Sequence, residues 1–435
     1  MKNNLCKIED QSISILLNKR NSVYAIGLIA GLLSCQKMQA QFVNKGEAVI
    51  TDKTIVTIKM DYDNEVSGDF VNDGDLYIYN NWNNDGKVSF TSQNLGKTSF
   101  VGEDKQLISG AKIAGFQNIV FNNLDQSLMP FDLKTTIEVA KNADFQFGIV
   151  NAVDYDGKII FDEKASQSNA GNQSFVDGAV QKKGNSTFEF PVGNQLYYRP
   201  AIAGVSSDVN NSFTTQYFYQ NSDDGTRPHN QKEKSILSIS NTEYWKVTQD
   251  NGDEKIVLSL TLNNDTTPAA FFSPSPGYKL GIVRWDEIQK MWVNYGGDVS
   301  DPSKSTVYEK LLTAQVKGYG IFTMAIVEST TADPDDLIVY NAVSPNGDGL
   351  NDTFHIKGID KYPDNMVEIY NRWGVKVFET KSYNESDNMF RGYSDGRATI
   401  NRNEKLPTGT YFYILKYNNT KKVVEKSGYL YINNQ

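Results

Sequence analysis

The distribution of apolar residues beyond position 41 indicates strands rather than helices. They occur in short bursts, such as residues 76–79, 116–121 and 159–161, which are separated by Asn, Asp and Gly. They do not keep the 3.6-residue spacing of an amphipathic helix for long. Short bursts between turn residues are typical of strands. The pattern therefore predicts an all-β protein.

Residues 41–165 carry repeated Asn-Asp-Gly turns between brief strands, as at residues 72–74 and 84–86. Asn and Gly tolerate positive φ, so each turn can bend the chain sharply at little cost. Strands this short at regular spacing predict a β-helix-like module, in which each coil packs on the next. A stack of Asn-Gly hairpins is the alternative.

Residues 166–328 have the pattern of a β-sandwich. Aliphatic residues alternate with other residues along one predicted strand, at Ile256, Leu258, Leu260 and Leu262. This alternation places them on one face of the strand. We expect the tryptophans of this module to lie in or near its core, namely Trp245, Trp285 and Trp292. Residues 329–336 are small, acidic and include a proline, which predicts an extended linker before a further domain at 337–435.

Residues 1–40 predict an export signal. Two basic residues precede an apolar run at 23–33, which is too short to span a bilayer. Cleavage after Ala40 would make Gln41 the new N-terminus. Lipid attachment at Cys35, which follows a lipobox-like stretch, is the alternative. In both cases we expect the protein to leave the cytoplasm.

Charge and cysteine content exclude several classes of function. The net charge is −9, and it becomes −12 without residues 1–40, which hold five basic and two acidic residues. Nucleic-acid binding draws on clustered Lys and Arg, so we expect no nucleic-acid partner. Both cysteines, Cys6 and Cys35, lie in the predicted signal. The exported part therefore has no thiol for a disulfide, a Cys-based metal site or a nucleophile.

Four motifs follow one another in residues 337–435. They are a Gly-rich loop with Pro345, Asn346, Gly347, Asp348, Gly349, Asn351 and Asp352; a turn of Asn371, Arg372, Trp373 and Gly374; a bend into a Tyr-rich strand at Pro407, Gly409, Thr410 and Tyr411; and a terminal strand at residues 428–432. Strands bounded by such turns predict a compact antiparallel β-sandwich of immunoglobulin-like size.

Taken together, these motifs resemble the gliding motility-associated C-terminal domain, the type B sorting signal of the type IX secretion system of Bacteroidota. The resemblance covers residues 337–435. One position departs from the family pattern, since Phe390-Arg391-Gly392 stands where Trp-Asp-Gly is usual. The aromatic side chain is kept and the carboxylate is lost, which puts any role of that carboxylate in doubt for this chain.

The resemblance implies a route, partners and a location. Such proteins cross the inner membrane by general export and the outer membrane through the type IX translocon, and the folded C-terminal domain is the address. An outer-membrane partner of the kind paired with type B substrates is expected to bind it. The resemblance implies a protein on the cell surface or in the medium, and type B domains need not be cleaved off. Cargo of this family is commonly an adhesin or a filament subunit, so we expect a non-enzymatic, adhesin-like or structural protein.

Other functions remain open on the sequence alone. One alternative is an exported hydrolase or sugar-binding protein that acts on polysaccharide, and another is an accessory component of the secretion or gliding machinery. The two histidines lie outside any recognisable catalytic motif, and we expect no catalytic residue. Aromatic side chains that stack on a surface glycan are possible at Trp82, Trp285 and Trp292, with ordinary burial as the alternative. Other cell-surface proteins are further candidate partners.

Two of the C-terminal motifs have two interpretations each. The oxygens of the Gly-rich loop could hold Ca²⁺ near Asp348 and Asp352, but the bidentate Glu of an EF-hand is missing, and a structural turn is the alternative. Arg372 and Trp373 form either an exposed contact for the sorting partner or a guanidinium stacked on an indole to hold the turn. Apart from the Ca²⁺ interpretation, we expect no cofactor.

Overall fold

The computed structural model describes residues 40–91, 95–204, 208–252, 256–302, 307–329, 337–349, 351–395, 405–419 and 423–434. Nearly all of the predicted signal and linker lies outside these ranges. The described residues form strands and single-turn 3₁₀ segments at Val153–Tyr155, Ala269–Phe271 and Ile359–Lys361, which confirms the all-β prediction. In the described ranges, no helix is both long and apolar enough to cross a membrane. Residues 41–435 form one compact unit.

The first module is a parallel β-solenoid, in which each turn of the chain, or coil, stacks on the one before it. Its strands are β1 (Gln41–Asn44), β2 (Glu47–Ile50), β3 (Ile55–Ile58), β4 (Asp61–Asn64), β5 (Asp69–Asn72), β6 (Asp75–Ile78), β7 (Trp82–Asn84), β8 (Lys87–Ser89), β9 (Lys97–Gly102), β10 (Gln106–Ser109), β11 (Ala114–Asn123), β12 (Phe131–Leu133), β13 (Thr136–Phe147), β14 (Val150–Asn151), β15 (Lys158–Phe161), β16 (Ser166–Ser168), β17 (Val176–Asp177) and β18 (Ala179–Lys183).

The solenoid has three faces, and its strands pair in parallel from coil to coil. One face stacks β1, β4, β7, β10, β12, β14 and β17. A second face stacks β2, β5 and β8, and a third stacks β3, β6 and β9. Both of these run onto the long strand β11. The β-helix prediction is confirmed, and the hairpin alternative is wrong because hairpin strands would pair antiparallel.

A ladder of buried asparagines runs along the inside of the first three coils. Asn44 Nδ2 donates to Asn64 Oδ1 at 2.8 Å, and Asn64 Nδ2 donates to Asn84 Oδ1 at 2.8 Å. Asn64 and Asn84 are fully buried. A buried amide is costly unless it is hydrogen-bonded, so each coil satisfies the polar group of its neighbour and fixes the register between them.

An aromatic stack accompanies the ladder two positions earlier in each coil. The ring of Tyr62 lies 5.7 Å from that of Phe42 and 4.3 Å from that of Trp82, measured between centroids. Tyr62 and Trp82 are almost completely buried, whereas Phe42 in the first coil is 45% exposed. The stack therefore forms part of the solenoid core and reaches the surface at its N-terminal coil.

The glycines of the Asn-Asp-Gly turns are required for their small size. Neither Gly74 nor Gly86 has a positive φ. A Cβ on Gly74 would lie 2.4 Å from the carbonyl oxygen of Thr54, and a Cβ on Gly86 would lie 2.3 Å from that of Gly68. Both carbonyls belong to the preceding coil. The expectation of left-handed backbone is thus wrong at these two turns, where close approach between coils excludes a side chain.

The solenoid continues beyond residue 165, its predicted end, so that boundary is wrong. β17 stacks in parallel on β14, and a further strand at Val192–Asn194 stacks on β17. These strands have only two or three residues, so they leave almost no hydrophobic pattern in the sequence. β18 then pairs antiparallel with a strand at Ser212–Phe218, and the ladder passes without a break into the second module.

The second module is a two-sheet sandwich, as predicted. The strands from here are β19 (Phe188–Glu189), β20 (Val192–Asn194), β21 (Tyr197–Tyr198), β22 (Ala201–Ala203), β23 (Ser212–Phe218), β24 (Ile236–Ile239), β25 (Tyr244–Asn251), β26 (Ile256–Leu262), β27 (Tyr278–Asp286), β28 (Met291–Asn294), β29 (Asp298–Ser300), β30 (Lys310–Val316) and β31 (Gly320–Glu328). One sheet contains β23, β24, β25, β27, β28 and β31, and the other has the order β19-β22-β26-β30-β29. β20 and β21 close the first face of the solenoid.

A buried ion pair fastens the end of the solenoid to the sandwich. Arg199, which follows β21, donates to Glu243 Oε2 from Nε at 3.1 Å and from Nη2 at 2.9 Å, and both side chains are 0% exposed. Tyr217 and Thr267 donate their hydroxyls to the same carboxylate at 2.9 and 2.6 Å. The Trp245 indole donates to the carbonyl oxygen of Arg199 at 2.9 Å. The carboxylate is thereby matched by one cation and two hydroxyls in a dry environment.

The tryptophans that were candidates for stacking on a sugar lie inside the protein. Trp82 and Trp292 are 0% exposed and Trp285 is 3% exposed. Trp245 is also fully buried, which agrees with the expected core position. Burial removes these ring faces from contact with a ligand. The interpretation of Trp82, Trp285 and Trp292 as a glycan-binding surface is therefore wrong.

The C-terminal module is built on a five-stranded sheet with a two-stranded sheet beside it. Its strands are β32 (Ile338–Val339), β33 (Ala342–Val343), β34 (Ile356–Lys357), β35 (Asn365–Asn371), β36 (Lys376–Lys381), β37 (Gly409–Asn418) and β38 (Val423–Ile432). The large sheet has the order β33-β38-β37-β35-β36, and β32 pairs with β34. Between them lies a hydrophobic core of its own, which includes Val367, Ile369, Phe390, Leu415 and Leu430.

Candidate functional site

The Gly-rich loop is held by the side chain of Asp352. Its Oδ1 accepts the backbone N–H of Gly347 at 2.7 Å, and its Oδ2 accepts that of Gly349 at 2.8 Å. Asn346 and Asp348 bond to each other in the same loop. Gly347, Gly349 and Asn351 have positive φ, with Leu350 between the last two outside the described residues.

This geometry is that of a turn stabilised by its own carboxylate. In the described part of the chain, no group of three or more His, Cys, Asp or Glu side chains is placed to hold a metal ion. Both oxygens of Asp352 already accept N–H groups, as in other Asp-stabilised turns. The calcium interpretation stays an untested alternative. The candidate ligands near Asp348 are exposed oxygens.

The second motif is a tight turn between β35 and β36 that Asn371 organises. Asn371 Oδ1 accepts the backbone N–H groups of Trp373 and Val375, both at 3.0 Å. The guanidinium of Arg372 lies 3.8 Å from the centre of the Trp373 ring, which is close cation–π stacking. Both side chains are exposed, and Trp373 is 51% exposed. The stack and the exposure occur together, so a turn-holding role and a contact role are both compatible with the geometry.

The third motif lies directly beside the second. β37 begins at Gly409, and its register with β35 puts Tyr411 opposite Asn371. The Tyr411 hydroxyl donates to the carbonyl oxygen of Pro407 at 2.9 Å and closes the bend before the strand. Burial raises the pKa of the Tyr411 phenol to about 12, and the nearby Arg372 opposes that shift. The turn at 371–374 and the bend at 407–411 thus form one surface, although they are far apart in the sequence.

The first motif meets the segment that departs from the family pattern. Pro345 packs on Gly392, because a Cβ on Gly392 would lie 2.5 Å from the Pro345 Cγ. Phe390 is fully buried in the domain core, 5.0 Å from the ring of Phe378. Arg391 between them is exposed. The retained aromatic residue therefore has a packing role, and the altered position faces the surface.

The turn at 371–374 also contacts the sandwich, which the sequence did not predict. A Cβ on Gly374, where φ is +71°, would lie 2.4 Å from the Cα of Gly204 at the end of β22. Beside this contact a small apolar cluster joins Val257 of the sandwich to Tyr370, Phe412 and Ile414 of the C-terminal sheet. Val257 alternates with the aliphatic residues of β26 and so lies on the opposite face of that strand, where residues of the C-terminal sheet cover it.

These features define a protein with two fused β modules and a C-terminal domain that has its own core and presents clustered turn motifs. Residues 337–432 match the family model of the CHU_C type IX secretion signal domain. The chain therefore carries a type IX secretion signal, which marks it as an exported protein and implies contact with the type IX secretion machinery. Comparison with curated proteins and with solved structures gave no match.

Proposed function

We propose that this protein is a non-enzymatic surface or secreted protein of the adhesin-like or structural kind, delivered by its C-terminal domain as a type B substrate. The match of residues 337–432 to a type IX secretion signal domain carries the delivery part of the proposal. The separate core of that domain supports it further, because a domain with its own core can present its turn motifs on different cargo.

The structure of the cargo supports a structural or adhesive role. A parallel solenoid passes into a sandwich through a continuous ladder of strands, which makes a stiff body in which each coil supports the next. Two sets of buried polar side chains hold coils and modules together, the asparagine ladder and the Arg199–Glu243 pair. His229 bonds Ser222 at 2.8 Å and stacks edge-on against Trp292, which is a packing arrangement.

The export signal and its cleavage belong to the same proposal. The compact unit begins at Gln41, which is also the first residue of β1. Cleavage after Ala40 would therefore leave the first strand whole. Lipid attachment at Cys35 would instead leave a short tether in front of the solenoid, and mass spectrometry of the secreted protein distinguishes the two.

Retention of the C-terminal domain after export is part of the type B proposal. The Gly204–Gly374 contact and the cluster around Val257 give the domain a seat on its own cargo. We infer that an outer-membrane type B partner binds the exposed Arg372–Trp373 stack. We also infer that this partner belongs to the gliding-associated machinery.

The test is secretion of variants from a cell that has type IX secretion. Arg372→Ala is expected to block appearance of the protein in the medium or on the surface, while the purified variant melts at the temperature of the unaltered protein. Lys357→Ala changes another exposed cation of the same domain and is expected to be secreted normally. Secretion of Arg372→Ala at the normal level would contradict the contact role. A large fall in its melting temperature would assign the residue to holding the turn.

A further inference from the structure

A groove lies between the C-terminal sheet and the sandwich, and the turn at 371–374 forms part of its lining. Its volume is about 630 Å³, within the range of small-ligand sites in proteins. One wall comes from β37, β38 and the turn at 371–374. The other comes from the sandwich sheet that contains β22, β26, β29 and β30.

The wall on the C-terminal domain presents aromatic rings to solvent. Tyr429 and Tyr431 alternate with buried residues on β38, so both project from the same face, and they are 42% and 45% exposed. Trp373 lines the same groove and is 51% exposed. Exposed aromatic rings grouped around a concavity are typical of binding sites, because the ring face is apolar and rigid while its edge stays compatible with water.

The wall on the sandwich presents oxygen acceptors. Asp298 Oδ2 is buried, and no described residue donates a hydrogen bond to it. Its nearest cation is Lys279, whose Nζ lies 4.0 Å from Oδ1. Glu189 also lines the groove and accepts the Tyr198 hydroxyl at 2.8 Å. A buried carboxylate oxygen without a donor costs stability unless a ligand supplies the donor.

We propose that this groove binds a neutral oligosaccharide. A pyranose ring has an apolar face of C–H groups that packs on tyrosine and tryptophan rings, and its hydroxyls donate to carboxylates such as Asp298. The carboxylates of Asp298 and Glu189 oppose an acidic sugar, and Arg372 is the cation in the described lining. The proposal goes beyond delivery, since it assigns the groove a ligand, although Arg372 and Trp373 belong both to its lining and to the proposed sorting contact.

A cost to stability accompanies Asp298 and agrees with a binding role. Burial raises the pKa of its carboxyl, and Lys279 opposes the shift. The pKa of the buried Tyr413 phenol on β37 is raised by burial and further by the charge of the Asp298 carboxylate. A carboxylate kept where burial disfavours its charge is a common feature of functional sites.

The test is isothermal titration of the chain from Gln41 to Gln435 with neutral tetrasaccharides of glucose, mannose, galactose and xylose, and with tetragalacturonate as an acidic probe. We expect at least one neutral series to bind. Tyr431→Ala and Asp298→Asn should each weaken it by about tenfold or more, equivalent to about 1.4 kcal/mol. Tyr393→Ala removes a ring of similar exposure, 41%, that does not line the groove, and should bind normally.

Three results would overturn the proposal. They are the absence of binding by every neutral probe, unchanged affinity in both groove variants, and tighter binding of tetragalacturonate than of any neutral probe. Melting curves recorded alongside show that each variant is folded. Secretion of the same variants is measured separately, so failure of the sugar proposal and failure of the delivery proposal are distinguishable.

Discussion

The buried Arg199–Glu243 pair gives the sharpest prediction about stability. Arg199→Met removes the cation and leaves the Glu243 carboxylate in a dry site with the Tyr217 and Thr267 hydroxyls as its remaining donors. Breaking one partner of a buried ion pair costs about 3–5 kcal/mol. We therefore expect Arg199→Met to lower the free energy of unfolding of the sandwich by that amount. Urea unfolding monitored by tryptophan fluorescence measures the loss.

A double variant separates the pair from general damage to the core. Arg199→Met with Glu243→Gln removes both charges and keeps an amide oxygen for the hydroxyls, so it should be more stable than Arg199→Met alone. The control is Lys87→Met, which breaks a pair of the same length, 2.9 Å, whose side chains are 65% and 43% exposed, and should cost no more than about 1 kcal/mol. Two results would contradict this prediction. One is a loss of stability in Arg199→Met as small as that in Lys87→Met. The other is a double variant that loses as much free energy of unfolding as Arg199→Met and Glu243→Gln lose together when measured singly.

Further predictions concern the ladder, a glycine contact, calcium and pH. Asn64→Leu removes the acceptor of Asn44 Nδ2 and the donor to Asn84 Oδ1, and should cost about 1–3 kcal/mol for each orphaned group, measured by urea unfolding; no loss would contradict the ladder's role. Gly374→Ala should lower the melting temperature more than Gly347→Ala, because both have positive φ but of the two only Gly374 lies against Gly204. Equal falls in melting temperature would show that the contact with Gly204 does not contribute to stability. Addition of Ca²⁺ should leave the melting temperature unchanged, whereas a clear rise would favour the metal interpretation of the Gly-rich loop. The folded pKa of Asp298 lies above the ordinary 3.8, so the native state binds more protons than the unfolded state and loses stability as pH rises through that range. Asp298→Asn should therefore raise the melting temperature relative to the unaltered protein more near pH 7 than near pH 4. An equal rise at both pH values would contradict this.

The solenoid could be predicted because short strands and turns are local features. A stronger signal lay in the 20-residue spacing that repeats Asn44 at Asn64 and Asn84, and Phe42 at Tyr62 and Trp82. Later coils lose that period because their loops differ in length. The predicted end at residue 165 is therefore too early, and strands as short as β17 and β20 carry too little hydrophobic pattern to be predicted.

The turn motifs of the C-terminal domain could be predicted because each one depends on a few adjacent residues. Asn371 illustrates this, since its side-chain oxygen accepts the N–H groups of Trp373 and Val375 in the turn that it begins. Contacts between modules could not be predicted, because nothing near Gly204 in the sequence points to Gly374. The groove depends on the same tertiary contact. Its acceptor Asp298 looks like any other acidic residue of a polar loop until the fold buries it.

We propose that residues 337–435 are a secretion signal that the type IX machinery recognises whatever protein precedes it. The most direct measurement places these residues behind a general export signal and a folded reporter, in a cell with type IX secretion and in one that lacks the translocon. We expect reporter outside the first cell and in the periplasm of the second. Periplasmic retention in both, with the C-terminal domain folded, would contradict it.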